Sequence, residues 1–263
     1  MPSPINIVFL HIPKTAGQSV HHFLKSVVGG ESVAPARVND QLYQLSVTEL
    51  RRYRLISGHL DWAMLDCVQQ PKFVFTILRN PVDRILSFYF FLRAEAQNLS
   101  EEELRRPENQ GKHTTLHLSC DDYFTGGRPH IRTFLDNHYD NFYMYYFAGR
   151  TYDGRQRLLA RKGADQTFTT ECVLKMALEN VASLDGVYTI DRLDLLERDL
   201  RFATGFRDER PALADLHINR GSGEPGDRMK ALEALGATRA TFDRIDAMVA
   251  QDAEIWKHYS GRH

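Results

Sequence analysis

The sequence predicts an α/β fold, with a central parallel sheet flanked by helices and a helical elaboration, in one domain over residues 1–263. Three strand–turn–helix units carry this expectation. The runs INIVFLHI, from Ile5, and KFVFTIL, from Lys72, are almost wholly apolar and rich in β-branched residues, as strands covered on both faces must be. Each leads through a polar turn into apolar residues at helical spacing. Strands separated by helices in this way pair in parallel through crossovers. A chain of 263 residues that is 43% hydrophobic and 25% charged has ample material for such a core.

Pro13 ends the first strand because it has no N–H to donate. Gly17 lets the backbone turn sharply or approach a ligand, and Val20, Phe23, Leu24, Val27 and Val28 mark the helix that follows. SVTELRRY is predicted to form a short helix capped by Ser46 or Thr48. RLISGHLDW supplies a short strand at Leu55 and Ile56 and a Ser57-Gly58-His59 turn, with Asp61 expected to cap a helix through Met64 and Leu65. Beyond the next strand, Asn80 caps a helix with Pro81 at its first position, where a missing N–H costs nothing. Residues 99–112 read as a polar surface excursion, CDDYFTGG as mainly helical, and NFYMYYF as a packed helix in preference to a stacking platform. The third unit, VYTIDRLDLLERDLRFATG, places a strand at Val187–Ile190 and a helix ended by Gly205. Residues 206–226 are expected to form a polar loop containing LHINRGSG. One long C-terminal helix then buries Phe242, Ile245, Met248, Val249, Ile255 and Trp256.

The formal net charge of −1 provides no general field for nucleic acid or anionic membranes, so no nucleic-acid partner is expected and any anion-binding charge must be local. Cys67, Cys120 and Cys172 are odd in number and widely spaced, as free thiols of a reducing compartment and not as a disulfide or zinc framework. No apolar run is long enough to span a bilayer and no charged leader precedes the first, so a soluble, cytoplasmic protein is expected. No pattern in the sequence speaks to oligomeric state.

Ligands of an open parallel sheet bind beyond the carboxyl ends of its strands. Three polar turns are predicted there: Pro13–Ser19, Ser57–His59 and Arg79–Arg84. The first aims backbone N–H groups and the positive end of a helix dipole at one point, a seat for a phosphate or sulfate group. Lys14 adds a mobile charge, while Thr15 and Ser19 offer hydroxyls. Lys14 precedes Gly17, so the GxxxxGK[ST] order of magnesium-dependent nucleotide binding is absent. The stretch is also consistent with a plain strand–turn–helix joint bearing an exposed lysine. Arg79, at a strand end, can grip a phosphate bidentately with help from Ser87, or pair with Asp83. His59 suits acid–base chemistry at neutral pH. The other ten histidines have no comparable placement, and His21 and His22 are expected on the surface of the first helix.

Together these turns resemble the sulfotransferases that use 3′-phosphoadenosine-5′-phosphosulfate (PAPS), and most closely the family-2 branch of heparan and chondroitin O-sulfotransferases. HIPKTAGQS is similar to that family's 5′-phosphosulfate loop, and RNPVDRILSFYFFLR to its 3′-phosphate motif. SGHLDW is similar to the turn bearing the catalytic histidine of uronyl 2-O-sulfotransferases. YFAG, VYTIDRLDLLERDL, HINRGS and DAEIW are looser echoes, so the resemblance runs through nearly the whole chain. It implies a P-loop-like fold and a metal-free donor site made by Lys14, Thr15, Ala16, Gly17, Gln18, Ser19, Arg79 and Ser87, with Arg220 closing over the nucleotide. Residues 98–127 become the acceptor-side excursion and 206–226 the loop covering the donor. His59 becomes the base and Lys14 the group neutralising the leaving oxygen, with PAP (adenosine 3′,5′-bisphosphate) as product and a hydroxyl of a sugar, glycolipid or small molecule as acceptor. Gln18 stands where the family often has Thr, and Ser57 replaces the first histidine of an HGH turn. The neutral net charge argues against a long, highly sulfated polymer. A P-loop-like kinase and a non-catalytic nucleotide- or carbohydrate-binding module are the competing classes.

Overall fold

The structure, a computed structural model, describes residues 5–68, 70–206, 212, 213 and 225–261. Its chain falls into two compact units. The first draws on the stretches up to Arg79, from Met144 onward and from Ile255 onward; the second on Asn80–Tyr143 and a later stretch ending at Glu254.

The first unit is built on four parallel strands: β1 (Asn6–Leu10), β2 (Leu55–Gly58), β3 (Lys72–Leu78) and β4 (Gly186–Thr189), in the order β2-β1-β3-β4. Helix α1 (Gly17–Val28) follows β1, and a later helix (Leu193–Thr204) follows β4. Ile7, Phe9, Leu55, Phe73, Phe75 and Ile77 from the strands pack with Val20, Phe23 and Leu24 of α1 and Leu196 and Leu200 of the later helix. Val8, Leu10, Ile56 and Leu78, which face the other way, are equally buried. The sheet is therefore covered on both faces, as its unbroken apolar runs require. Gly205 closes the later helix in the left-handed conformation, with φ of 69°.

Register places the chemistry. Leu10 of β1 pairs with Gly58 of β2 and Thr76 of β3, so the three strands deliver their carboxyl ends to one edge. The chain leaves β1 for β2 on one side and leaves β3 for β4 on the other, which makes the β1/β3 boundary the topological switch point where ligands of such sheets bind. The outer edge of β2 is covered by the segment through Val33 and Val38, bridged in parallel to Leu55 and to His59, the residue after β2.

The second unit centres on α2 (Pro81–Gln97), whose N-cap Asn80 accepts from the Asp83 N–H at 3.2 Å. Ile85, Leu86 and Tyr89 pack with Cys120, Tyr123, Phe124 and Leu135 from the short helices between Ser100 and His138. Asp83 is paired with Arg228 at 2.7 Å, both nearly inaccessible. The expected single C-terminal helix is instead three: Pro225–Ala234, Arg239–Met248 and Ala250–Ser260. Asn141 explains the second break. Its N–H donates to the Met248 carbonyl at 2.7 Å, and its side-chain oxygen accepts from the N–H groups of Gln251 and Asp252. One residue from elsewhere thus caps both new helix ends, the first with its backbone and the second with its side chain.

Candidate active site at the carboxyl edge of the sheet

The turn after β1 is wound by two left-handed residues, Lys14 (φ 70°) and Ala16 (φ 63°). Alternation of left- and right-handed residues curls successive N–H groups towards one point, and at Ala16 it runs directly into the first turn of α1. That turn contains no acidic residue, so dipole and backbone donors act together on an anion. Thr15 is buried and its hydroxyl donates to the Ile12 carbonyl at 2.8 Å. It therefore enters the cradle through its backbone, not through the hydroxyl expected of it. Gln18 is exposed and Ser19 buried. Arg79, one residue beyond β3, reaches across the switch point and donates to the Lys14 carbonyl at 3.1 Å. Ser87, half-buried on α2, belongs to the second unit. Arg220 lies outside the described residues, as does most of the expected covering loop.

His59 follows β2 and His11 follows β1. Because Leu10 and Gly58 are register partners, the two imidazoles stack, with centroids 4.3 Å apart. His11 is buried, also stacks on Phe9, and lies flat against Gly17: a Cβ on that glycine would fall 1.7 Å from His11 Nε2. A single imidazole ring therefore separates the anion cradle from His59. The expectation that no other histidine shares His59's placement fails for His11, and for a readable reason. Both are the first residues after strands that pair, but their pairing is a long-range fact.

Hydrogen bonds set the tautomer of His59. Its Nδ1 donates to the His11 carbonyl at 2.9 Å, which also receives the Tyr152 hydroxyl at 2.8 Å. Nε2 is left as the ring's basic nitrogen. Burial lowers the pKa of His59 below 6.5 against the opposing effect of the His11 carbonyl, and Arg37 lowers it further. His11 is pushed well below 6.5 by burial first and then by its charged neighbours. Both rings are neutral at pH 7, the state a proton acceptor needs.

Asp61 holds this arrangement. It does not cap the following short helix (Trp62–Cys67) as the sequence suggests. Its buried carboxylate instead accepts from Asn39 Nδ2 and the Tyr152 N–H, both at 2.8 Å, and from the Tyr43 hydroxyl. The last bond raises the Tyr43 pKa to about 12. The turn that aims Tyr152 at His59 is thus anchored to a side chain two residues beyond His59. Gly58 is required because a Cβ there would lie 2.3 Å from the Arg37 carbonyl, which accepts the His59 N–H at 2.8 Å.

His21, expected at the surface, is half-buried and joins this edge: its Nδ1 meets Ser57 Oγ at 3.1 Å and the Arg37 guanidinium. Burial, then Arg37, pushes its pKa down to about 4. Tyr152, Arg37 and Asp61 were not singled out for the site from sequence. Asp61 alone flanks the SGH turn, whereas Arg37 and Tyr152 are distant in sequence and carry no local signal.

Among the described residues, no group of His, Cys, Asp and Glu is arranged to hold a metal ion, and no helix is long and apolar enough to cross a membrane. No curated protein matches the sequence. A family model described as "Sulfotransferase family" matches residues 3–153, more than half of the chain and the whole stretch from the cradle to Tyr152. The chain therefore belongs to the sulfotransferase family, whose general chemistry is sulfuryl transfer.

Proposed function

We propose that the protein is a PAPS-dependent O-sulfotransferase, acting as one domain on a hydroxyl of a sugar, glycolipid or small molecule. The observation that carries this reading is the neutral His59, its Nδ1 committed to a carbonyl, one ring away from an acid-free anion cradle. The donor brings a sulfuryl group already attached to a good leaving group. Backbone N–H groups from Thr15 to Ser19, through Ala16, Gly17 and Gln18, take the 5′-phosphate. Arg79 and Ser87 take the 3′-phosphate by the motif spacing, with Arg220 as a further contact. His59 Nε2 accepts the proton of the attacking hydroxyl, and Lys14 neutralises charge on the oxygen that leaves. Rate then comes from positioning and charge stabilisation, as in phosphoryl transfer. The residues present fit a diphosphate-like anion: Gly17 has no room for a side chain, and Arg79 is already hydrogen-bonded to the loop. Three free thiols accord with a reducing compartment such as the cytoplasm.

Titration calorimetry with PAP in EDTA, beside ATP with magnesium, tests the donor site. Wild type is expected to bind PAP without metal and Arg79→Ala to lose at least tenfold in affinity, the scale of a charge-assisted contact. Magnesium-dependent ATP binding with no PAP binding would establish the kinase alternative instead. PAP binding with turnover untouched by His59→Ala would leave only a binding module.

A further inference from the structure

Arg37 is half-buried beside the proposed base, and its guanidinium is only partly used. Nη1 donates to Ser57 Oγ at 3.1 Å and to His21 Nδ1. The other edge of the fork, Nε and Nη2, has no partner among the described residues and is open to solvent. Both groups that Arg37 touches are neutral, since His21 is held uncharged at neutral pH by burial and by Arg37 itself. No carboxylate among the described residues pairs with it. A guanidinium withdrawn from water without a counter-ion is destabilising, and burial accordingly lowers the Arg37 pKa. The fold nevertheless locks it in place, through Ser57 and His21 at its tip and through the His59 N–H on its own carbonyl.

The Nε/Nη2 edge is the geometry that grips a carboxylate or sulfate with two parallel hydrogen bonds. Ser57, which anchors Arg37, lies two residues before His59. Residues at that spacing share one face of a strand, roughly 7 Å apart. That separation is about the width of one sugar ring.

Resting on the sulfotransferase reading, we propose that the free edge of Arg37 receives a single anionic group of the acceptor, a carboxylate or sulfate about one ring away from the hydroxyl presented to His59. The position would make Arg37 a specificity residue. One fork takes one anion, which agrees with a chain whose net charge of −1 offers no field for a polyanion. The same chemistry could instead come from the donor's own sulfuryl group, and the test separates the two sources.

Calorimetry on PAP-saturated protein would compare two probes that differ only in a carboxylate: β1,4-linked glucosyl-glucose and glucuronyl-glucose. Wild type is expected to bind the glucuronyl probe at least tenfold more tightly, the scale of a bidentate charge-assisted contact. Arg37→Gln should reduce that preference to within twofold while leaving PAP and PAPS affinities within twofold of wild type. Arg37→Lys, which keeps the charge and loses the fork, should fall between. It also serves as the informative variant if Arg37→Gln does not fold. A wild type that does not favour the glucuronyl probe, including one that binds neither probe, overturns the proposal. So does a preference that survives in both variants, or a tenfold loss of PAPS affinity at unchanged PAP affinity, which would assign the fork to the donor. Failure of wild type to bind PAP at all is a separate result, and it removes the sulfotransferase reading together with this one.

Discussion

The contact between Gly17 and His11 offers the sharpest test of the site's geometry. Gly17→Ala adds one methyl group at a position with no left-handed φ to strain, so the perturbation is purely steric. The new Cβ would lie 1.7 Å from His11 Nε2, 2.0 Å from Cε1 and 2.1 Å from Cδ2, inside the ring's own volume. The imidazole cannot simply swing away, because it is stacked between Phe9 and His59. Overpacking of this kind destabilises by about 1–3 kcal/mol. For a chain of this size that lowers Tm by roughly 2–4 °C per kcal/mol. In a His11→Ala background the ring is absent and the methyl group has room. The same substitution there should be nearly neutral, because alanine is the better helix former. Urea unfolding of wild type, both single variants and the double variant gives the coupling directly, with about 1–3 kcal/mol expected. PAP affinity should fall in Gly17→Ala and recover in the double variant, because Gly17 lies in the cradle and begins α1. Equal destabilisation by Gly17→Ala in both backgrounds, or none in wild type, would refute the ring's placement over the glycine.

Three further outcomes follow from the same geometry. His11, His21 and His59 all titrate below 6.5 in the folded state; the unfolded chain therefore binds more protons below that pH, and stability, full above about pH 6.5, should fall as the pH drops towards 5. A urea midpoint that is flat or rising over that window would contradict the burial of these rings, and an NMR titration of His59 with a pKa of 7 or above would remove it as a preset base. Asp61→Ala strands Asn39 Nδ2, the Tyr43 hydroxyl and the Tyr152 N–H without their acceptor, so a loss of about 3 kcal/mol in urea unfolding is expected, with PAP affinity retained. In the second unit, Asp83→Ala removes the buried carboxylate that Arg228 Nη1 meets at 2.7 Å, at about 3–5 kcal/mol, whereas Asp83→Leu with Arg228→Met should unfold close to wild type.

How much of this was readable in advance depends on the range of the interaction concerned. The apolar runs of β1 and β3, the Asn80-Pro81 helix start and the Gly205 stop are stated by residues a few positions apart, and they are found as expected. The Ser46 capping box is likewise local, its serine and Glu49 hydrogen-bonding reciprocally across one turn. The cradle itself is local too, since Lys14, Ala16 and Gly17 are consecutive in the turn that forms it. Local chemistry of this kind determines which segments become strands, which turns carry polar groups and hence the family of the chain.

The working geometry of the site is a different matter. His11 and His59 are 48 residues apart and meet because β1 and β2 pair with Leu10 opposite Gly58, a register set by packing on both faces of the sheet. Tyr152 reaches His11 across 141 positions, and Asn141 breaks a helical pattern 110 residues away. Asp61 carries a legitimate N-cap signal, yet its carboxylate turns to three other donors because they, too, are buried and must be satisfied. Sequence periodicity specifies the face on which a side chain lies. Which other side chain it meets there is decided only when long-range pairing fixes the register, and that pairing sets the protonation state of His59 and leaves one edge of Arg37 open.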